Sequence, residues 1–213
     1  MATSVIFCAG EFDKLAQPLR GDEFIIAADG GYAHTRKLDL TPDAVLGDFD
    51  SLGFVPEGAQ VHPVEKDDTD CMIAVRLALE RGCDDIVIYG ALDGPRMDHT
   101  IANLQALLFL TRRGARGTLV GRKNIITAVG NGKLCFDPEA KGTVSVFCLG
   151  EKARGVSIRG MKYELEDGTL EPDMPLGVSN CFQDREAAVE VKDGIVIVIY
   201  DADNGLRHHE KEK

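Results

Sequence analysis

The feature that most constrains the fold of this chain is a change of period part-way along it. In the first half, apolar runs of strand length alternate with helix-period stretches. SVIFCAG, EFIIAADGG, DAVLGDFDSL and AQVHPV are followed by a helical DCMIAVRLALERG, then by DDIVIYGA and a second helix through HTIANLQALLFLTRRG. Both helices run into Arg and then Gly, a stop signal. From about residue 118 the helical period is gone. GTLVG, KLCFD, GTVSVFCLG, GVSIRG, MKYEL and AAVEVKDGIVIVIYD succeed one another between Gly, Pro and Asp turns.

Buried strands separated by helices require a mainly parallel sheet covered on both faces, whereas an unbroken succession of short strands requires antiparallel pairing. The expected fold is therefore α/β, with an N-terminal Rossmann-like domain over residues 1–125 and a C-terminal all-β sandwich over residues 126–213. Within the second part VKDGIV predicts a hairpin, because Asp-Gly suits the left-handed positions of a type I′ turn.

At 213 residues the chain can bury a substantial core. Its net charge of −11 argues against a nucleic-acid partner, which would need Lys and Arg to neutralise phosphates. No apolar stretch approaches the roughly 20 residues of a bilayer-spanning helix, and no secretory pattern opens the sequence. The six cysteines are scattered without CxxC spacing, so they read as reduced thiols and the expected setting is cytoplasmic.

Acidic residues gather where the strands of the first half end. Asp29 follows FIIAA, Asp48 and Asp50 follow AVLG, Asp67, Asp68 and Asp70 precede the first helix, and Asp98 opens the second. Open parallel sheets bind ligands outside the carboxyl ends of their strands. Each acid has a plain alternative: Asp70 and Asp98 as helix caps, Asp29 as turn chemistry before Gly30 and Gly31. Asp48 and Asp50 ask for more, since residues i and i+2 of an extended strand share a face. So many carboxylates on one edge repel unless a cation bridges them, which points to a magnesium-type oxygen site. Magnesium in turn suggests phosphates. The glycines of DGG and YGALDGPR let backbone N–H groups approach an anion, and Lys66 and Arg96 stand beside the acids. GTLVGRKN and GNGKLC both fail the Walker spacing, so any ATP chemistry here lies outside the P-loop class.

Taken in order, ADGGY, PDAVLGDFDSL, EKDDTDCMIAVRLAL and YGALDGPRMDHTIANLQ, followed by a β-rich part reaching PLGVSNCF, resemble the bacterial thiamine pyrophosphokinase family over nearly the whole chain. The resemblance implies a diphosphokinase that moves the diphosphoryl group of ATP to the hydroxyl of thiamine, giving thiamine diphosphate and AMP with Mg2+. It implies Asp48, Asp50 and Asp70 as metal ligands, and Asp29, Asp70 and Asp98 as the catalytic set, with Asp98 orienting the thiamine hydroxyl or accepting its proton. Lys66, Arg96, Gly30 and Asn124 would hold the nucleotide. Ser179 and Asn180, together with Asp98, would contact thiamine. It also implies a homodimer with thiamine at the interface, where the C-terminal domain contributes.

Two departures from the family pattern stand out. LDGPR replaces a more Gly-rich loop, and its Pro95 lacks an N–H donor. Cys181 follows Asn180 where an acidic residue is common, and the chain has no Trp.

Other readings of the same residues are a haloacid-dehalogenase-like phosphatase with Asp48 as nucleophile, a diphosphokinase for another small alcohol such as a pterin, and a sensor that binds without turnover. The sensor reading has little to support it, because a lost metal ligand would be its mark and all four strand ends are acidic.

Overall fold

A computed structural model describes residues 2–50, 52–63 and 67–211. The chain divides into two compact units, one formed by residues up to Leu110 together with Gly114–Arg122, the other by Thr111–Arg113 and Lys123 onward.

The first unit carries β1 (Thr3–Phe7), β2 (Phe24–Ala28), α1 (Gly31–Lys37), β3 (Ala44–Gly47), β4 (Gln60–Val61), α2 (Asp70–Glu80), β5 (Asp85–Tyr89), α3 (Met97–Thr111, whose last residue falls in the second unit) and β6 (Arg116–Val120). Every pairing in its sheet is parallel, in the order β4-β3-β2-β1-β5-β6. β1 lies between β2 and β5 and is buried along its whole length, as its unbroken TSVIF run demands. The helices bury one stripe each: Cys71, Ala74, Val75 and Ala78 on α2, and Asn103, Ala106, Leu107 and Leu110 on α3, both at the i, i+3, i+4, i+7 spacing. Because the strand order runs outward in both directions from β1, the crevice between the loops that follow β1 and β5 is where a ligand should sit.

GTLVG belongs to this unit. Its residues form most of β6, which pairs in parallel with β5, so the antiparallel part begins later than the loss of helical period suggests. α1 carries no clear helical period in the sequence and is held by a backbone feature. At Gly31 a Cβ would lie 1.8 Å from Phe7 O, so the helix rests directly on β1.

The second unit carries β7 (Asn124–Phe136), β8 (Thr143–Cys148), β9 (Ala153–Arg159), β10 (Leu165–Leu170), β11 (Gly177–Cys181), β12 (Ala187–Asp201) and β13 (His208–Lys211). All their pairings are antiparallel. β12 is the hub: it pairs with β7 along most of its length, with β9 over its first half and with β8 over its second.

The hairpin expected at VKDGIV does not form. β12 runs on through it, and the register against β7 jumps between Val191↔Gly132 and Ile195↔Gly130. Lys192, Asp193 and Gly194 thus stand opposite Asn131 alone, with Gly194 at φ +95° and Asn131 at φ +47°. The Asp-Gly pair serves a β-bulge, because β7 offers a partner on both sides of the kink. Among the described residues, no helix is long and apolar enough to cross a membrane.

Candidate active site

A cavity of about 710 Å3 opens in the first unit where the sheet order reverses. Cys8, Ala9 and Gly10 after β1, Ala28 and Asp29 of β2 and its turn, Asp48 and Asp50 after β3, Asp68 to Cys71 at the head of α2, and Gly90 to Leu92 after β5 all line it. Gly94 to Arg96, with His99, Thr100 and Asn103 of α3, complete the wall.

Oxygen atoms of Asp29, Asp48 and Asp50 lie within 4.8 Å of one another. The route to this convergence is not the one the i, i+2 spacing predicts. β3 stops at Gly47, Phe49 turns left-handed at φ +58°, and the Asp50 N–H donates to Asp48 Oδ1 at 3.3 Å. The two carboxylates meet across a turn whose strained Phe49 is itself buried. Asp29 is left-handed as well, at φ +48°, and its N–H donates to Leu46 O at 2.8 Å. A Cβ at Gly47 would lie 2.9 Å from Asp29 Cα, so Gly47 is what lets the two turns touch.

The compact set therefore holds Asp29, with Asp48 and Asp50, where the family resemblance groups Asp70. Asp70 lines the same cavity and stands in the first turn of α2, next to the N-cap. Thr69 is the N-cap of α2, its side chain accepting from Met72 N at 3.2 Å.

Arg96 reaches the cavity rim and forks onto Asp98, Nη2 to Oδ2 at 2.6 Å and Nε to Oδ1 at 3.3 Å. That pairing holds the Asp98 carboxyl below its ordinary range. A hydrogen bond with Cys71, together with burial, pushes the Cys8 thiol well above its own, so Cys8 presents a neutral wall. Asn103, buried, donates from Nδ2 to Ala91 O at 2.7 Å and fixes the start of the β5–α3 loop.

Of the remaining expected site residues, Lys66 lies outside the described residues. Gly30 is the N-cap of α1 and does not line the cavity. Asn124 opens β7, and Ser179 and Asn180 lie on β11, all in the second unit. Ser179 is exposed at φ +59°. The Asn180 side chain is buried and engaged: Oδ1 accepts from Tyr163 N at 3.0 Å and Cys181 N at 2.9 Å, and Nδ2 donates to Tyr163 O at 2.6 Å. Asn180→Ala would remove the bonds to the Tyr163 N–H and C=O, and urea denaturation should register a loss of about 1–3 kcal/mol at roughly 0.5–1.5 kcal/mol for each of the two bonds.

Sequence reasoning passed over Ala9 and Gly10, His99, Thr100 and Asn103. Gly10 had a readable signal in CAG, a glycine just past an apolar strand. A Cβ there would lie 2.4 Å from Gly90 O.

Two family models match in succession, the thiamin pyrophosphokinase catalytic domain over residues 15–118 and its vitamin B1 binding domain over residues 133–196. A thiamine pyrophosphokinase of Bacillus subtilis (strain 168) is 27% identical over 187 residues, covering 84% of this chain and 87% of that one. A thiamine pyrophosphokinase crystal structure from Bacillus subtilis superposes with a TM-score of 0.82 at 25% identity, covering 93% of this chain and 98% of that one. A thiamin pyrophosphokinase family protein from Enterococcus faecalis gives 0.76 at 26% identity, covering 94% and 99%. With both domain models matched in order along it, the chain belongs to the thiamin pyrophosphokinase family.

Proposed function

We propose that this protein is a thiamine diphosphokinase, transferring the diphosphoryl group of ATP to the hydroxyl of thiamine to give thiamine diphosphate and AMP. The observation that carries the reading is the convergence of Asp29, Asp48 and Asp50 in a cavity at the reversal point of the sheet, in a chain of this family. An all-oxygen, all-carboxylate donor set fits a hard divalent cation, and a cation there relieves the repulsion among the three. Asp29, Asp48 and Asp50 would hold Mg2+, with Asp70 on the same wall as the further ligand. When bound, Mg2+ supplies neutralisation of the triphosphate's charge.

The chain's own groups do the positioning. Arg96, whose Nε and Nη2 are held by Asp98, has Nη1 to offer to phosphate oxygens. Asp98, held ionised by Arg96, is a weak base and a good acceptor, so it suits orienting the thiamine hydroxyl better than taking its proton. Transfer of a phosphoryl-type group depends mainly on such placement and on charge stabilisation.

Ser179 remains available as a thiamine contact, whereas Asn180 acts by shaping β11 around Tyr163. Asn124, Gly30 and Lys66 keep their assignment to the nucleotide. We read the first unit as Rossmann-like on its parallel order, and the second as a sandwich on the way β12 changes partner at its bulge. We also assign the protein to the cytoplasm, as a homodimer, with neither nucleic acid nor membrane as partner. The phosphatase and pterin readings lose their footing once both family models match.

Incubation with ATP, thiamine and Mg2+, followed by chromatography, should yield AMP and thiamine diphosphate one for one, and a chelator should abolish both. Release of ADP or inorganic phosphate without thiamine diphosphate would overturn the reading.

A further inference from the structure

The LDGPR stretch departs from a Gly-rich loop, and three contacts describe what holds it. Asp93 is left-handed at φ +57°, and its Oδ2 accepts from the backbone N–H of Arg122 at 2.7 Å. Gly121 makes room for that carboxylate, because a Cβ there would lie 2.4 Å from Asp93 Oδ2 and 3.0 Å from Leu92 Cβ. The Arg122 side chain then reaches the segment after β1, donating from Nη1 to Glu11 Oε2 at 2.9 Å and from Nε to Asp13 Oδ1 at 3.0 Å.

Segments leaving the carboxyl ends of β1, β5 and β6 thus meet at one residue. The first two also touch through glycine: Gly10 N donates to Gly90 O at 2.9 Å, and a Cβ at Gly90 would lie 2.4 Å from Cys8 O. Exposed ion pairs such as those of Arg122 restrain little, but a backbone N–H bonded to a carboxylate is charge-assisted and stronger.

We infer that Asp93 is a positioning residue for nucleotide binding: by latching the β5–α3 loop to Arg122, it presets Gly94, Pro95 and Arg96 at the cavity rim. It does not itself line the cavity, so it acts through these neighbours. An exposed loop tied down in this way meets the triphosphate already ordered, and binding is spared that ordering entropy. The inference rests on the reading of this cavity as the ATP site.

Calorimetric titration with Mg2+ and a non-hydrolysable ATP analogue tests it, paired with steady-state kinetics for both substrates. Asp93→Ala should weaken analogue binding on the order of tenfold, the scale of one lost charge-assisted bond. Its KM for ATP should rise in parallel, while KM for thiamine and the melting temperature hold. Asp93→Asn, which keeps an acceptor oxygen without its charge, should fall between the parent and Asp93→Ala.

Parent-like binding by Asp93→Ala overturns the inference. So does an Asp93→Asn protein as weak as Asp93→Ala, or an equal rise in both KM values with a lowered melting temperature. Failure of the parent itself to bind the analogue would instead remove the ATP-site reading, and the inference with it.

Discussion

Asp50→Asn is expected to lower turnover about a thousandfold while leaving the protein folded. The charge it removes belongs to a set whose oxygens lie within 4.8 Å of one another, the set proposed above to hold the cation. Metal-based charge stabilisation contributes several kcal/mol to a transition state, and each 1.36 kcal/mol is a factor of ten, so a loss on the order of 10^3 follows from a poorly held ion.

The same substitution should act on stability in the opposite direction. Asp50 is exposed, so an amide there carries no burial penalty, and in metal-free buffer it ends repulsion worth about 1 kcal/mol per close pair in water. Thermal melting in a chelator should therefore place Asp50→Asn at or slightly above the parent. Addition of Mg2+ should raise the parent's midpoint and leave the variant's nearly still. Retained turnover would show that the carboxylate set does not serve the reaction. Phosphate trapped covalently on Asp48 would point to phosphatase chemistry instead.

The second large effect is structural. Gly31→Ala should destabilise the first unit by roughly 3 kcal/mol or more, the upper end of overpacking costs, because the atoms in its way are backbone and cannot swing aside. The added Cβ would sit 1.8 Å from Phe7 O and 2.9 Å from Cys8 N. α1 must lift from the central strand, and Asp29, two residues earlier, would move with it, so activity should fall alongside the urea midpoint. Gly82→Ala is the control. Gly82 has φ +80° but nothing within 4 Å of an added Cβ, so only the left-handed strain of about 1 kcal/mol applies. Equal midpoints for the two variants would mean that α1 docks on β1 with more slack than this packing allows.

These two glycines also mark what a sequence discloses and what it withholds. The apolar runs of β1, β2, β3 and β5 and the stripes of α2 and α3 are local patterns, and they can be read residue by residue. α1 cannot, because it rests on a close approach of two backbones at Gly31 and Phe7 that no periodicity reports. The Asp-Gly of VKDGIV is real turn chemistry, but whether it closes a hairpin or kinks a continuous strand depends on a partner some 60 residues away, here Asn131 and its flanking glycines.

The acids show the same division. That Asp29, Asp48 and Asp50 belong together follows from parallel-strand logic, since each lies just beyond a strand's carboxyl end. That Asp29 sits closer to the other two than Asp70 does depends on Gly47 and on two left-handed residues, a matter of tertiary fit. Asn103 and Gly10 shape the cavity through backbone carbonyls, and such contacts leave no trace in residue type.

The unbroken run of β12 has a consequence for synthesis. In the first unit each strand from β2 to β5 finds a neighbour soon after it is made, and β6 closes the series before the second unit starts. In the second unit β10 can join β9 and β11 can join β8 as they are made, but these pieces stay separate until β12 arrives. β7, β8 and β9 are all translated before the one strand that joins them, and each must wait with an edge open. At roughly 5–20 residues per second the delay from β7 to β12 lasts seconds, long compared with hairpin formation in microseconds. During those seconds the nascent chain presents unpaired, apolar edges such as TVSVFC to any neighbour. Aggregation of this protein, at high expression or on heating, should therefore start from the second unit, and a ribosome stalled before residue 187 should be held by chaperones.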